Sequence, residues 1–171
     1  MSSPAERYAS AGDLADDLRL PATFTGDAPC AGCEAIHWHL SLLEDHGYEL
    51  SRTWVGADLR RDEVGKWRED LAGRAIVLYG AAEMPLRLEI LDPGRLRVID
   101  TTGGVAASGP PGFLTSDGTL HPVDLTLFLG GEMVYFADAA RFLECMTGRS
   151  YPIAMEGDYL ALERAYVAAA S

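Results

Sequence analysis

Two cysteines stand close together in Asp27-Ala28-Pro29-Cys30-Ala31-Gly32-Cys33-Glu34. Their spacing suits two chemistries. The sulfurs can close a small disulfide ring, or as thiolates they can grip one soft metal ion. Pro29 and Gly32 permit a tight loop at this point. A catalytic redox pair ordinarily sits at a helix N-terminus, where the dipole lowers the thiol pKa. Here a strand-like alternation begins near Ala35, which weighs against a thioredoxin-type thiol-disulfide protein. A structural zinc wants four ligands, and the chain has no second pair of this kind. Spacing alone leaves disulfide, metal site and idle thiols open.

His37 and His39 follow at once. On a strand they face one side, with Cα atoms roughly 7 Å apart. They are candidate ligands that could join Cys33 around copper or zinc. The plainer reading is a polar, solvent-facing strand surface. His46 reads as a turn residue and His121 as a loop residue. Cys145 follows the apolar pair Phe142-Leu143 and is expected to be a buried, inert thiol. Its pairing with Cys30 or Cys33 stays open. Trp38, Trp54 and Trp67 are expected in the core. Asp58, Arg60, Arg61, Asp62 and Glu63 form a charge run that reads as a solvated loop. No nucleophile elbow, phosphate-binding glycine loop, paired metalloprotease histidines or dinucleotide fingerprint is present. The residues therefore point to a binding or sensing protein, not an enzyme.

The elements that must position these side chains are mostly strands. Ile36, Trp38, Leu40 and Leu42 alternate with polar residues, and Tyr48, Leu50 and Trp54 continue on one face after a turn over Glu44–Gly47. The pattern predicts a hairpin. Val64–Arg68 and Ala75–Tyr79 are short strand candidates. Leu86–Ile90 and Leu96–Val98 alternate on either side of the turn signal Asp92-Pro93-Gly94. Strands about ten residues apart suggest a meander closing into a small lipocalin-like antiparallel β-barrel. Gly103–Gly112, with Pro110-Pro111, marks an internal boundary. Beyond it, Leu125, Leu127 and Leu129 alternate as on a strand. Met133–Ala137, Phe142–Cys145 and Ser150–Met155 follow as short strands, and a helix from Asp158 to Ala169 ends the chain. The expected layout is a mobile leader over 1–19, a barrel over 20–112, and a smaller β-β-α segment over 121–171 packed on it.

Bulk composition bounds the function. A chain of 171 residues with 48% hydrophobic and 23% charged residues folds as an ordinary globular protein. A net charge of −12 repels phosphate backbones and anionic headgroups, so nucleic acid is disfavoured as a partner. No apolar run approaches the roughly 18 residues of a membrane helix. The first residues, Met1 to Asp17, lack the basic start and apolar stretch of a secretory signal. The expectation is a cytoplasmic protein, or an exported one whose signal has been removed.

The segment Phe24-Thr25-Gly26-Asp27-Ala28-Pro29-Cys30-Ala31-Gly32-Cys33-Glu34-Ala35-Ile36 resembles the opening of the NlpE-type copper-resistance lipoproteins. Tyr48–Gly56 resembles the second strand of that family, Gly65-Lys66-Trp67 its glycine-x-tryptophan strand, and Leu96–Asp100 the strand before its final loop. Tyr135–Cys145 and Gly157–Tyr166 are similar to the tail of NlpE-like bacterial envelope proteins. The resemblance implies a small lipocalin-like barrel in the bacterial periplasm or outer membrane. It also implies a link to copper handling, surface sensing or envelope-stress signalling, with an envelope signalling protein and copper ion as candidate partners. Cys30 and Cys33 match the family's disulfide or copper-binding pair. Longer family members carry a second domain with its own cysteine pair; the C-terminal part of this chain holds only Cys145, so no second disulfide or metal pair carries over. The rival readings are a lipocalin-like carrier of a small apolar molecule in the barrel, and a thiol-disulfide redox protein.

Overall fold

The computed structural model describes residues 18–70, 72, 74–80, 85–99, 111–136 and 139–169. Eight antiparallel strands run in chain order: β1 (Ala22–Ala28), β2 (Ala35–Leu42), β3 (Gly47–Val55), β4 (Leu59–Asp70), β5 (Ala75–Tyr79), β6 (Leu86–Asp92), β7 (Arg95–Ile99) and β8 (Phe113–Thr115). Each pairs with the next, and β8 returns to β1, so the sheet closes into an up-and-down barrel. Closure abolishes the unpaired edges that would otherwise invite association.

The closing seam is short. Thr25 pairs with Thr115, and β8 has only three residues. Gly26 makes this seam feasible, because a Cβ there would lie 2.0 Å from the Phe113 carbonyl oxygen. β8 lies just past the expected boundary at residue 112, and the expected internal break falls largely outside the described residues. The expected leader over 1–19 lies outside them as far as residue 17. Leu18, however, is only 1% exposed and belongs to the core.

The alternation seen in sequence sets the register. Leu42 pairs with Tyr48, Leu40 with Leu50, Trp38 with Arg52 and Ile36 with Trp54. Strand ends Ala28, Ala35, Val55, Leu59, Tyr79, Leu86, Ile99 and Phe113 gather at one rim. Toward the opposite end the interior is filled by Phe24, Leu40, Leu42, Tyr48, Leu50, Trp67 and their neighbours, all fully buried. Each such side chain contributes about 1.5–3 kcal/mol by leaving water. At that end the β2–β3 turn carries His46 at φ 61°. Its ring stacks on Trp67 at 4.4 Å, and the Asp45 carboxylate accepts the Gly47 amide at 2.8 Å.

Of the charge run expected as a loop, Asp58 lies in the turn before β4, but Arg60, Arg61, Asp62 and Glu63 belong to the first half of β4 itself. Its charges alternate like any strand. Glu63 points inward and is 6% exposed, whereas Arg60 and Asp62 point outward. Charge alone misled the sequence reading, because both carboxylates have partners that sequence does not reveal.

Leu125–Leu129 also differs from expectation. Val123, Leu125 and Leu127 do turn one face inward, hence the alternation. Yet residues 116–130 form no strand. Residues 116–127 make an extended strap on the outside of the barrel, held by the Thr23 amide and by side chains of β1, β2 and β4. The Thr23 amide donates to the Thr119 carbonyl at 2.8 Å, and the His121 amide donates to the Thr23 hydroxyl at 2.9 Å. His39 Nε2 donates to the His121 carbonyl at 3.2 Å, and the Thr126 amide donates to Asp62 at 2.8 Å.

The residues from Phe128 onward form a second compact unit. It holds a three-stranded antiparallel sheet in the order β11-β10-β9, built from β9 (Gly131–Phe136), β10 (Ala139–Glu144) and β11 (Ser150–Pro152). Helix α1 (Tyr159–Ala169) follows. Asp158 precedes it, and its carbonyl accepts the Ala161 and Leu162 amides. The turn after β10 is closed by Glu144, which accepts the Met146 amide at 2.8 Å and the Thr147 amide at 2.6 Å.

Candidate functional site

Cys30 and Cys33 are joined by a disulfide in the loop between β1 and β2, with Cα atoms 5.4 Å apart. That spacing lies in the ordinary range for a bridge. Gly32 sits at φ 86°, a conformation that side chains disfavour, which accounts for glycine between the two cysteines. A strand and not a helix follows Cys33, so no helix dipole acts on either sulfur. The bridge stands on the barrel rim, above the last β1–β2 pair, Ala28 with Ile36.

The two candidate histidines lie on the outer face of β2, half-exposed or exposed. Each is engaged by a different partner. His37 Nδ1 donates to Asp27 at 2.8 Å, while His39 is tied to the strap. His121 donates to Asp117 at 2.8 Å and is within 2.9 Å of the Thr119 hydroxyl. That hydroxyl and His121 hold the Asp117 carboxyl down at about 2. Among the described residues, no group of three or more His, Cys, Asp or Glu side chains is arranged to hold a metal ion. His37 and His39 are thus not brought together with Cys33 as a ligand set. The disulfide form offers no thiolate either, so a soft metal could be taken only after reduction.

Cys145 is exposed, against the expectation of a buried thiol. It lies one residue beyond β10, where the chain turns and the alternation ends. Its amide donates to the Gly130 carbonyl at 3.0 Å. Trp38 and Trp67 are core residues as expected, whereas Trp54 is only half-buried and stands near the rim.

The sequence reading missed a polar cluster inside the barrel. The inward row of β3 runs Tyr48, Leu50, Arg52, Trp54, and the facing row of β4 runs Gly65, Glu63, Arg61, Leu59. Arg52 and Glu63 therefore occupy positions in phase with the core. Tyr48 donates to Glu63 Oε1 at 2.9 Å, and Arg52 donates to Glu63 Oε2 at 3.2 Å. Burial first, and then the nearby Glu63, push the Tyr48 phenol far above its ordinary range, so it remains a donor. Gly65 leaves room for the Tyr48 ring, since a Cβ there would lie 2.7 Å from Tyr48 Cε1. The signal was available: a charged residue in the apolar phase of a strand, at Arg52 and again at Glu63.

Fold and site together define a class: a closed eight-stranded barrel with a disulfide loop on its rim, followed by a small β-rich unit. The family model for the NlpE N-terminal domain matches residues 24–108, and that for the NlpE C-terminal OB domain matches residues 125–171. The chain belongs to the NlpE-like family. It is 28% identical over 156 residues to Lipoprotein NlpE of Escherichia coli strain K12, covering 88% of this chain. The match spans 62% of that relative's length. Among solved structures, the Cpx pathway activator NlpE from Escherichia coli is 26% identical, covering 89% of this chain and 78% of the other at a TM-score of 0.43. A lipoprotein from Shewanella oneidensis, also 26% identical, covers 61% of this chain and 94% of the other at a TM-score of 0.48. No helix among the described residues is long and apolar enough to cross a membrane.

Proposed function

We propose that this protein is a non-enzymatic component of the bacterial envelope that reports envelope stress, and that the Cys30–Cys33 loop is its responsive element. The observation that carries this reading is the placement of the only disulfide among the described residues on the rim of a closed barrel. Membership of a family whose Escherichia coli relative is described as a Cpx pathway activator supports the direction of the signal, toward an envelope signalling protein.

The chemistry is simple. A dithiol reductant transfers two electrons and two protons to the bridge and becomes a disulfide itself, leaving two thiols. The loop loses its brace while the barrel ladders stay intact. The freed thiols are soft donors, and on losing their protons they can take Cu(I) between them. Either event changes the rim that a partner would meet.

The test is a free-thiol count on denatured, unreduced protein, followed by Cu(I) titration of the reduced native form. The reading expects one free thiol, Cys145, and one equivalent of Cu(I) bound after reduction, lost in Cys30→Ser/Cys33→Ser. Three free thiols in protein isolated from the envelope would contradict a braced resting state. Absence of Cu(I) uptake by the reduced form would remove copper from the proposal and leave reduction alone as the stimulus.

A further inference from the structure

Among the described residues, two hydrogen-bond donors inside the barrel have no acceptor: the indole Nε1 of Trp38 and the guanidinium Nε of Arg52. Trp38 is only 3% exposed and lies in the core cluster. The two residues are direct cross-strand neighbours. Buried donors are rarely left unpaired, and one that is asks for an explanation.

Their surroundings narrow the missing partner. Arg52 lies over the Trp38 ring at 5.5 Å and over the Trp54 ring at 5.8 Å, and Arg61 lies over Trp54 at 5.7 Å. The result is an alternating ladder of cations and rings: Arg61, Trp54, Arg52, Trp38. It begins at an exposed arginine on the rim and ends at a buried tryptophan. The layer beneath is sealed, because Leu40 and Leu50 are fully buried. The layer above is apolar and only partly covered, with Ile36, Trp54, Leu86 and Val98 half-exposed. Of the charges in the cluster, Glu63 answers one arginine through Arg52 Nη2. The second, Arg61, leaves the inward-facing set with a net positive charge.

We propose that the rim half of the barrel binds a small carboxylate with a short apolar body. Its head accepts from Trp38 Nε1 and Arg52 Nε, and its body lies against Ile36, Leu86 and Val98. In the free protein both donors are closed off from solvent, so Trp54 must swing away from Arg52 to admit the head. The ladder is then a plug and its floor a receptor. Two unpaired donors on directly paired residues suit a carboxylate better than an uncharged carbonyl, because an anionic acceptor strengthens both bonds. The sealed layer beneath limits the site to small molecules and excludes a long chain lying along the barrel axis.

The probe is octanoate, titrated into the full chain labelled with ¹⁵N, with the tryptophan indole N–H signals as the readout. Trp38→Phe identifies the Trp38 signal by its loss. Octanoate is expected to shift that signal saturably, and methyl octanoate, which keeps the apolar body but lacks the charge, to bind at least about tenfold more weakly. Arg52→Met should weaken octanoate by a similar factor. Since that variant leaves Glu63 short of a partner and can fail to fold, Trp38→Phe provides the second arm. It keeps an aromatic face, removes one donor, and should also lose about tenfold, read at the Arg52 Nε–H signal. No saturable shift, equal binding of acid and ester, or undiminished binding by Trp38→Phe would each overturn the assignment.

Discussion

Reducing the Cys30–Cys33 bridge should loosen one rim of the barrel without unfolding it. The bridge closes a loop with a sequence separation of 3. On the chain-entropy relation, a ring that small contributes about 2 kcal/mol. The ends of the loop are already held by the β1–β2 ladder, which runs from Ala22 paired with Leu42 to Ala28 paired with Ile36. About 2 kcal/mol is therefore an upper figure, set against the roughly 5–15 kcal/mol typical of a domain. Reduction, or the Cys30→Ser/Cys33→Ser substitution, should lower the melting temperature by no more than about 4–8 °C for a chain of this size. The assay is hydrogen exchange with and without a dithiol reductant. Amides at the rim ends of β1 and β2 should exchange faster, and those of β4 to β7 should be unchanged. Global loss of protection would refute the reasoning, as it would make the bridge essential to the whole barrel. Unchanged exchange at the rim would refute it from the other side.

Gly26→Ala should open the β1–β8 seam, because its Cβ meets the Phe113 carbonyl. A loss of about 1–3 kcal/mol in urea unfolding is expected, and an unchanged midpoint would show that the seam yields easily. Tyr48→Phe removes one of the two hydrogen bonds to Glu63 and should cost about 1–3 kcal/mol by the same measurement. Asp62 titrates low: desolvation opposes this, but hydrogen bonds from Arg60, the Thr126 amide and Ser51 outweigh it. A carboxyl depressed on folding stabilises above its unfolded pKa of about 3.9 and loses that contribution as pH falls through the folded value. Acidification below about pH 4 should therefore free the strap near Thr126, seen as faster exchange of that amide. In Asp62→Asn the remaining pH dependence of that amide should flatten.

The barrel was legible because period-two alternation and turn chemistry agree along most of its length. Tyr48, Leu50 and Trp54 showed which face of β3 turns inward, and Asp92-Pro93-Gly94 marked the β6–β7 turn. What escaped were features whose logic is not local. Glu63 and Arg52 break the apolar pattern because they satisfy each other across two strands. A charge run was thus read as a loop when it begins a strand. The strap shows the reverse error: Leu125 and Leu127 alternate, but the backbone finds its partners in the amide and hydroxyl of Thr23 and the carboxylate of Asp62, not in a ladder. Barrel closure depends on a three-residue strand too short to announce itself. The Cys30–Cys33 pair was visible at once, yet its spacing left disulfide, metal site and idle thiols open, and only the fold places it on the rim.

The central claim is that the rim disulfide is the responsive element of an envelope-stress reporter. The most direct measurement compares parent and Cys30→Ser/Cys33→Ser proteins, each exported at equal level, in cells carrying a transcriptional reporter of envelope stress. The parent should switch the reporter on under a reducing or copper challenge. The double variant should lose that dependence and give one constant level with or without the challenge. A double variant that answers both challenges as the parent does would contradict the account and move the responsive element elsewhere in the chain.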